Sequence, residues 1–195
     1  MATKTERYSG NILWILGVWT FLIALGSGTG YLMELTPKFI IPAVIILFIV
    51  LIVPYFRDNK FKKWISDIGL RRLTSFHAWR IFAAFIFFTY FRNGELPETF
   101  VCFAGWGDLI VGFLAALAVA LPSSVMRYSV LHAIGLLELV ISVSVGATLL
   151  YSGVGSMENL MTLPASLIIL LGVPVSAAVH IYALDLMKKA RVGKK

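Results

Sequence analysis

One cysteine, Cys102, stands alone in 195 residues. That excludes an intrachain disulfide and a CxxC metal site, and it leaves the redox compartment unreadable. Charge is scarce as well: only 14% of residues are charged, against about 25% in an ordinary soluble domain. Phosphate-binding glycine loops are missing, since Gly26-Ser-Gly28-Thr-Gly30 lacks the lysine and the preceding strand that a nucleotide would need. With no soluble domain to hold ATP, any transport has to be passive or ion-coupled. No C-x-x-C-H is present for covalent haem attachment.

What the chain has in abundance is apolar length. Hydrophobic residues make up 59% of it and the mean hydropathy is +0.87, too apolar for a surface that must be wetted, so it is read as an all-α integral membrane protein. A span takes about 20 apolar residues, and the apolar runs fall at about 11–33, 39–56, 73–91, 100–121, 125–151 and 163–187. The expectation is a six-transmembrane-helix bundle, residues 1–195 forming a single membrane domain. The first run is longer than the apolar region of a signal peptide and another follows at once, so it is read as a retained helix. Its Gly26, Ser27, Gly28, Gly30 series fits close helix contact or a frayed helix end, and Pro37 is placed to start the next helix.

Between the second and third spans lies a basic stretch, about 57–72. Phe61, Trp64, Ile65 and Ile68 fall at i, i+3, i+4 and i+7 there, while Lys60, Lys62, Lys63, Asp67 and Arg71 take other positions. One apolar stripe on a basic helix suits the headgroup layer, so an interfacial amphipathic helix is expected. The net charge of +7 therefore points to no nucleic acid. Its distribution gives orientation. Lys4, Arg7, Arg57, Lys60, Lys62, Lys63, Arg71, Arg72, Arg127, Lys188, Lys189, Arg191, Lys194 and Lys195 fall on one side, and only Lys38 and Arg92 on the other. Both termini are expected to be cytoplasmic.

Six ionisable residues remain within the spans: His77 and Arg80 in the third, Asp108 in the fourth, His132 and Glu138 in the fifth, His180 in the sixth. Such residues are costly at bilayer depth and as a rule pair, face a wet cavity or act. At a rise of about 1.5 Å per residue, Arg80 lies about 12 Å past Arg72 and His180 about 12 Å before Lys188, so the set occupies one slab of the bundle. His77 and Arg80 share a face, as do Gly105, Asp108 and Gly112, and the small residues admit a neighbouring backbone. Gly105-Trp-Gly-Asp108-Leu-Ile-Val and Gly135-Leu-Leu-Glu138-Leu-Val-Ile match as Gly-x-x-acid-Leu-aliphatic-aliphatic. That is either chance or an inverted repeat.

One Arg cannot neutralise two carboxylates. The excess acid has to be protonated, solvated or bound to a cation, the condition proton coupling uses. The leading expectation is a proton-linked transporter or permease for a small solute or ion, with Asp108, Glu138, Arg80, His77, His180 and His132 as its binding residues and Gly105, Gly112 and Gly135 as helix contacts. An alternative is a haem- or quinone-associated redox protein using two histidines, His77 with His180 or His132 with His180, as axial ligands. A second alternative is a structural or accessory subunit in which the ion pair only fixes packing. No metal site and no complete catalytic constellation is assigned. Gly105-Trp106-Gly107-Asp108 fits the G-x-G-D of intramembrane aspartyl proteases, but no second intramembrane Asp is present. The partners implied are the lipid bilayer and a small solute or protons, and a homo-oligomer is left open.

The run His77-Ala-Trp79-Arg80, then Gly94-Glu-Leu96-Pro97, Phe100 and Ala104-Gly105-Trp106-Gly107-Asp108 resembles a group of small bacterial multi-spanning inner-membrane proteins sharing an HxWR … GxLPxxF … AGxGD pattern. The likeness covers chiefly residues 77–112, with fainter support from 135–140 and from Pro174 to His180. It implies a bacterial cytoplasmic membrane and supplies neither substrate nor catalytic role.

Overall fold

The computed structural model describes residues 4–35 and 37–192, and side chains over 10–35 and 39–188. The side chains of Lys4, Arg7, Lys38, Lys189, Arg191, Lys194 and Lys195, on which part of the charge asymmetry rests, lie outside the described residues. Among the described residues there is no strand. The main helices are α1 (Lys4–Gly28), α2 (Pro37–Arg57), α3 (Asn59–Ile68), α4 (Leu70–Phe76), α5 (Arg80–Arg92), α6 (Trp106–Ala120), α7 (Val125–Tyr151) and α8 (Val173–Val192).

Five helical stretches are long and apolar enough to cross a membrane: Gly10–Gly28, Phe39–Arg57, Glu98–Ala120, Val125–Tyr151 and Ala165–Lys188. The third expected span differs. Instead of one uninterrupted helix it is α4 and α5 joined by a 3₁₀ turn, His77–Trp79, and that turn carries the first site residue. Two other stretches contain a wider π turn, Val101–Gly105 before α6 and Ile168–Gly172 before α8. Turns of this kind sit often at functional sites because they change the phase of the helix. At the second one the Trp19 indole donates to Leu170 O at 2.9 Å, which ties α1 to the bundle.

The faces turned outward carry large apolar side chains, among them Trp14 on α1, Phe82 on α5, Phe113 on α6 and Leu137 on α7, each more than 60% exposed. A monomer in water would bury such a surface. The glycine series at the end of α1 divides: Gly26 lies under Leu32 and the Ser27 hydroxyl lies within hydrogen-bond reach of Met161 O and Ser166 Oγ, at 2.9 and 2.7 Å, while Gly28 and Gly30 have open space around them.

The basic helix is shorter than 57–72. Asp58 caps α3 by accepting from the Lys60 amide at 2.8 Å, and Gly69, at a φ of 84°, stops it. Only a residue without a Cβ takes that angle cheaply, so Leu70, Arg71 and Arg72 start α4. The expected stripe is present but does not lie open for lipid. Phe61 and Ile65 are buried with Leu51, Tyr55 and Tyr182, because the stacked Tyr55 and Tyr182 rings, centroids 4.5 Å apart, offer an apolar ledge. Lys62 and Tyr55 both reach Asp185, at 2.6 and 2.8 Å, locking α3 across α2 and α8.

Candidate functional site

Arg80, Asp108 and Glu138 meet. Arg80 opens α5 directly after the 3₁₀ turn and is 1% exposed. Its Nε donates to Asp108 Oδ1 at 2.5 Å, and its Nη2 donates to Glu138 Oε2. Ser142, one turn further along α7, donates to the other oxygen, Glu138 Oε1, at 2.6 Å. The remaining guanidinium nitrogen, Nη1, is buried and finds no hydrogen-bond partner among the described residues. With all three groups ionised the cluster carries one excess negative charge.

Glycines let the helices come this close. A Cβ on Gly112 would stand 2.8 Å from the Ile81 backbone nitrogen, so α6 lies directly on the start of α5 and sets Arg80 at the depth of Asp108. Gly107 lies against the Glu138 carboxylate, where a Cβ would meet Cδ at 2.7 Å. Gly105 faces elsewhere, where a Cβ would meet Phe88 and Val101 at 3.0 Å. The matched heptapeptides therefore correspond only in part. Their acids converge on one guanidinium, but Gly105 faces Phe88 while Gly135 faces His180.

The three histidines form a second cluster one turn away, each 0% exposed. The His77 and His180 rings stack, centroids 3.8 Å apart and planes 10° from parallel. His132 Nδ1 lies 2.9 Å from His180 Nδ1, and His132 Nε2 lies 3.1 Å from the Thr74 hydroxyl. A haem does not fit them. Two axial nitrogens must face each other across an iron, roughly 4 Å apart at ordinary metal–nitrogen lengths, with the porphyrin between. Here one pair presents ring faces and the other pair is in hydrogen-bond contact.

Adjoining the ion cluster is a cavity of about 190 Å³. Arg80, Asp108, Glu138 and Ser142 close one end, and Val44, Phe87, Phe100, Leu139, Met157 and Met161 line the body. Ile45 and Val143 also line it and are 49% and 40% exposed, so it reaches the outer apolar face between α2 and α7. For scale, a dry cavity of about 150 Å³ holds a benzene ring.

All six ionisable residues singled out by sequence thus fall into two adjoining groups, Arg80–Asp108–Glu138 and His77–His132–His180. The residues that sequence reasoning misses are Gly107, Ser142, Thr74 and Trp79, the last covering Gly172 so closely that a Cβ there would run into the indole ring. Of these, Gly107 had a signal, the second glycine of its G-x-G. Ser142 had one too, its i, i+4 spacing from Glu138 on one helix, Trp79 stands in the His77-Ala-Trp79-Arg80 run, and Thr74 had none.

Fold and site together define a class: a helical protein with spans apolar enough for a membrane, built around a buried charge cluster at the end of an apolar cavity. Residues 35–188 match the model of a domain of unknown function, DUF8737, and the chain belongs to that family. No curated protein and no solved structure matches the chain.

Proposed function

We propose that the protein is a proton-linked transporter or permease for small, largely apolar molecules carrying one cationic group. The observation that carries this reading is the pair of carboxylates on a single guanidinium at the closed end of the cavity. Arg80 balances one of them. The other needs a counter-charge in a setting where water cannot supply it, and a proton or a bound cation each provides one. Because either occupant removes the need for the other, substrate binding releases a proton and proton binding releases substrate. The apolar body of the cavity supplies affinity in proportion to the area it removes from solvent, and its opening between α2 and α7 suits entry from the bilayer.

In this reading the jointed rod α4–α5 makes a sixth crossing, and both termini lie on the cytoplasmic side of a bacterial inner membrane. The support is the basic side chains gathered at one end of the spans. The short helix α3 then lies at the cytoplasmic interface, with Lys60 and Lys63 toward the headgroups while Lys62 stays paired with Asp185.

The test uses proteoliposomes that enclose a pH-sensitive dye. Addition of benzylamine, whose ring matches the cavity, should drive proton movement through the wild-type protein. The response should fall at least tenfold in Asp108→Asn and in Glu138→Gln. An equal response in both folded variants overturns the proposal. Assembly or stability defects with no amine-driven proton movement in the wild type favour the structural reading instead.

A further inference from the structure

We infer that His77, His132 and His180 form a binding site for one borderline transition-metal ion of the Zn²⁺ class. One nitrogen from each of the three rings lies within 4.8 Å of the other two, although the residues come from three different spans, 55 and 48 positions apart in sequence. Nitrogens around a tetrahedral ion stand roughly 3.4 Å apart, given metal–nitrogen bonds of about 2.0–2.1 Å. Reaching that spacing takes shifts on the order of an ångström together with rotation of the stacked His77 and His180 rings about their side-chain bonds, so that their in-plane lone pairs converge on one point.

The hydrogen bonds around the cluster fix the ligand atom on one ring. Thr74 donates its only hydroxyl proton to Leu70 O, at 2.8 Å. Towards His132 it can only accept, so the proton on that ring sits on Nε2 and points at Thr74. His132 Nδ1 thereby keeps its lone pair and accepts from His180 Nδ1 at 2.9 Å, which puts the proton of that ring on Nδ1 and leaves His180 Nε2 as its lone-pair nitrogen. A metal-ligating histidine has this arrangement, its second nitrogen donating to an outer partner that sets tautomer and orientation.

The other two rings lack such partners. Both nitrogens of His77, and Nε2 of His180, are buried without a hydrogen-bond partner among the described residues. Buried polar atoms left unpaired are uncommon and call for an explanation. A histidine core kept only for packing would meet these nitrogens with hydroxyls or carbonyls, as Thr74 meets His132. An ion instead uses one lone pair from each ring.

Charge and ligand chemistry agree on the ion. Three neutral imidazoles with no carboxylate among them select zinc, copper, nickel or iron over calcium or magnesium. The excess negative charge of the Arg80–Asp108–Glu138 group lies one helical turn off, through His77 to Arg80 on one side and through Gly135, against which His180 rests, to Glu138 on the other. That charge offsets the cost of holding a cation away from water. Gly135 makes the room: a Cβ there would stand 2.7 Å from His180 Nε2.

The experiment uses the full chain without a histidine tag, purified in mild detergent, stripped with a chelator and re-exposed to zinc before unbound ion is removed. Metal analysis should return one zinc ion per chain, and zinc should raise the unfolding temperature until a chelator is added. Substoichiometric zinc in the folded wild-type protein overturns the inference, and that measurement depends on no variant. In Thr74→Val, which keeps all three ligands, zinc affinity should fall ten- to a hundredfold. Unchanged affinity in that variant, or a full zinc complement in folded His180→Phe, overturns it as well. Neither readout involves transport, so the fate of the amine exchange proposed above leaves this result standing.

Discussion

Gly112 and Ile81 touch through their backbones. With a Cβ in place of the glycine hydrogen, the gap to the Ile81 nitrogen would be 2.8 Å and to the Arg80 carbonyl carbon 3.3 Å. Neither atom belongs to a side chain that can rotate away. Gly112→Ala should therefore force α6 off α5 and cost about 1–3 kcal/mol, the usual range for an overpacked core. Gly28→Ala, at a helix end with nothing within 4 Å, should be neutral to stabilising by up to about 1 kcal/mol. Thermal unfolding of both in the same detergent checks the contrast. Equal midpoints would mean that the close approach does not set the bundle.

Gly107→Ala should act by another route, because the obstacle is a side chain. The added methyl would displace the Glu138 carboxylate from its place beside Arg80, while the backbones stay apart. Stability should fall by a comparable amount, because a carboxylate moved off Arg80 loses its buried counter-charge, and amine-driven proton movement should fall as far as in Glu138→Gln. Measuring both quantities on one preparation separates a misplaced carboxylate from a misfolded protein.

The ionisable residues stand out in the sequence because charge in an apolar run is rare and needs a partner, and the helical rise per residue by itself places Arg80, Asp108 and Glu138 at one depth. Gly112 is equally legible, four residues past Asp108 on an undisturbed α-helix. Gly105 is not, because the π turn that ends there changes the helical phase upstream of Asp108. Thr74 is hidden for another reason. Hydroxyls in apolar helices commonly bond their own preceding turn, as Ser144 and Thr148 do here, and nothing in the local sequence tells which one also reaches a neighbour. The stripe on α3 shows the limit of periodicity: it marks an apolar face without saying whether lipid or Tyr55 will cover it.

Arg80 separates structural from functional roles. Removing it alone, as Arg80→Met, leaves two carboxylates buried without a cation, and breaking a buried ion pair in this way costs about 3–5 kcal/mol. Replacing the whole group, as Arg80→Met with Asp108→Asn and Glu138→Gln, removes the uncompensated charge and should restore most of that stability. The triple variant should nevertheless carry out no amine-driven proton movement. Chemical unfolding of the single and triple variants measures the first difference. A triple variant no more stable than Arg80→Met would show that the ion cluster is not the source of the cost.

Val143 tests where substrate enters. It lines the cavity and is 40% exposed on the outer face of α7, so Val143→Trp should fill the opening toward α2 with little effect on a surface already in contact with apolar surroundings. The unfolding temperature should hold, since exposed substitutions usually change stability by no more than about 0.5 kcal/mol. Leu137→Trp is the matched control, on the same helix and 61% exposed but away from the cavity lining. If the cavity fills from the bilayer between α2 and α7, benzylamine should release protons in Leu137→Trp as in the wild type and release at least tenfold fewer in Val143→Trp. Equal responses in the two variants would move the entry route elsewhere, while still leaving Asp108 and Glu138 as the groups that trade proton for cation.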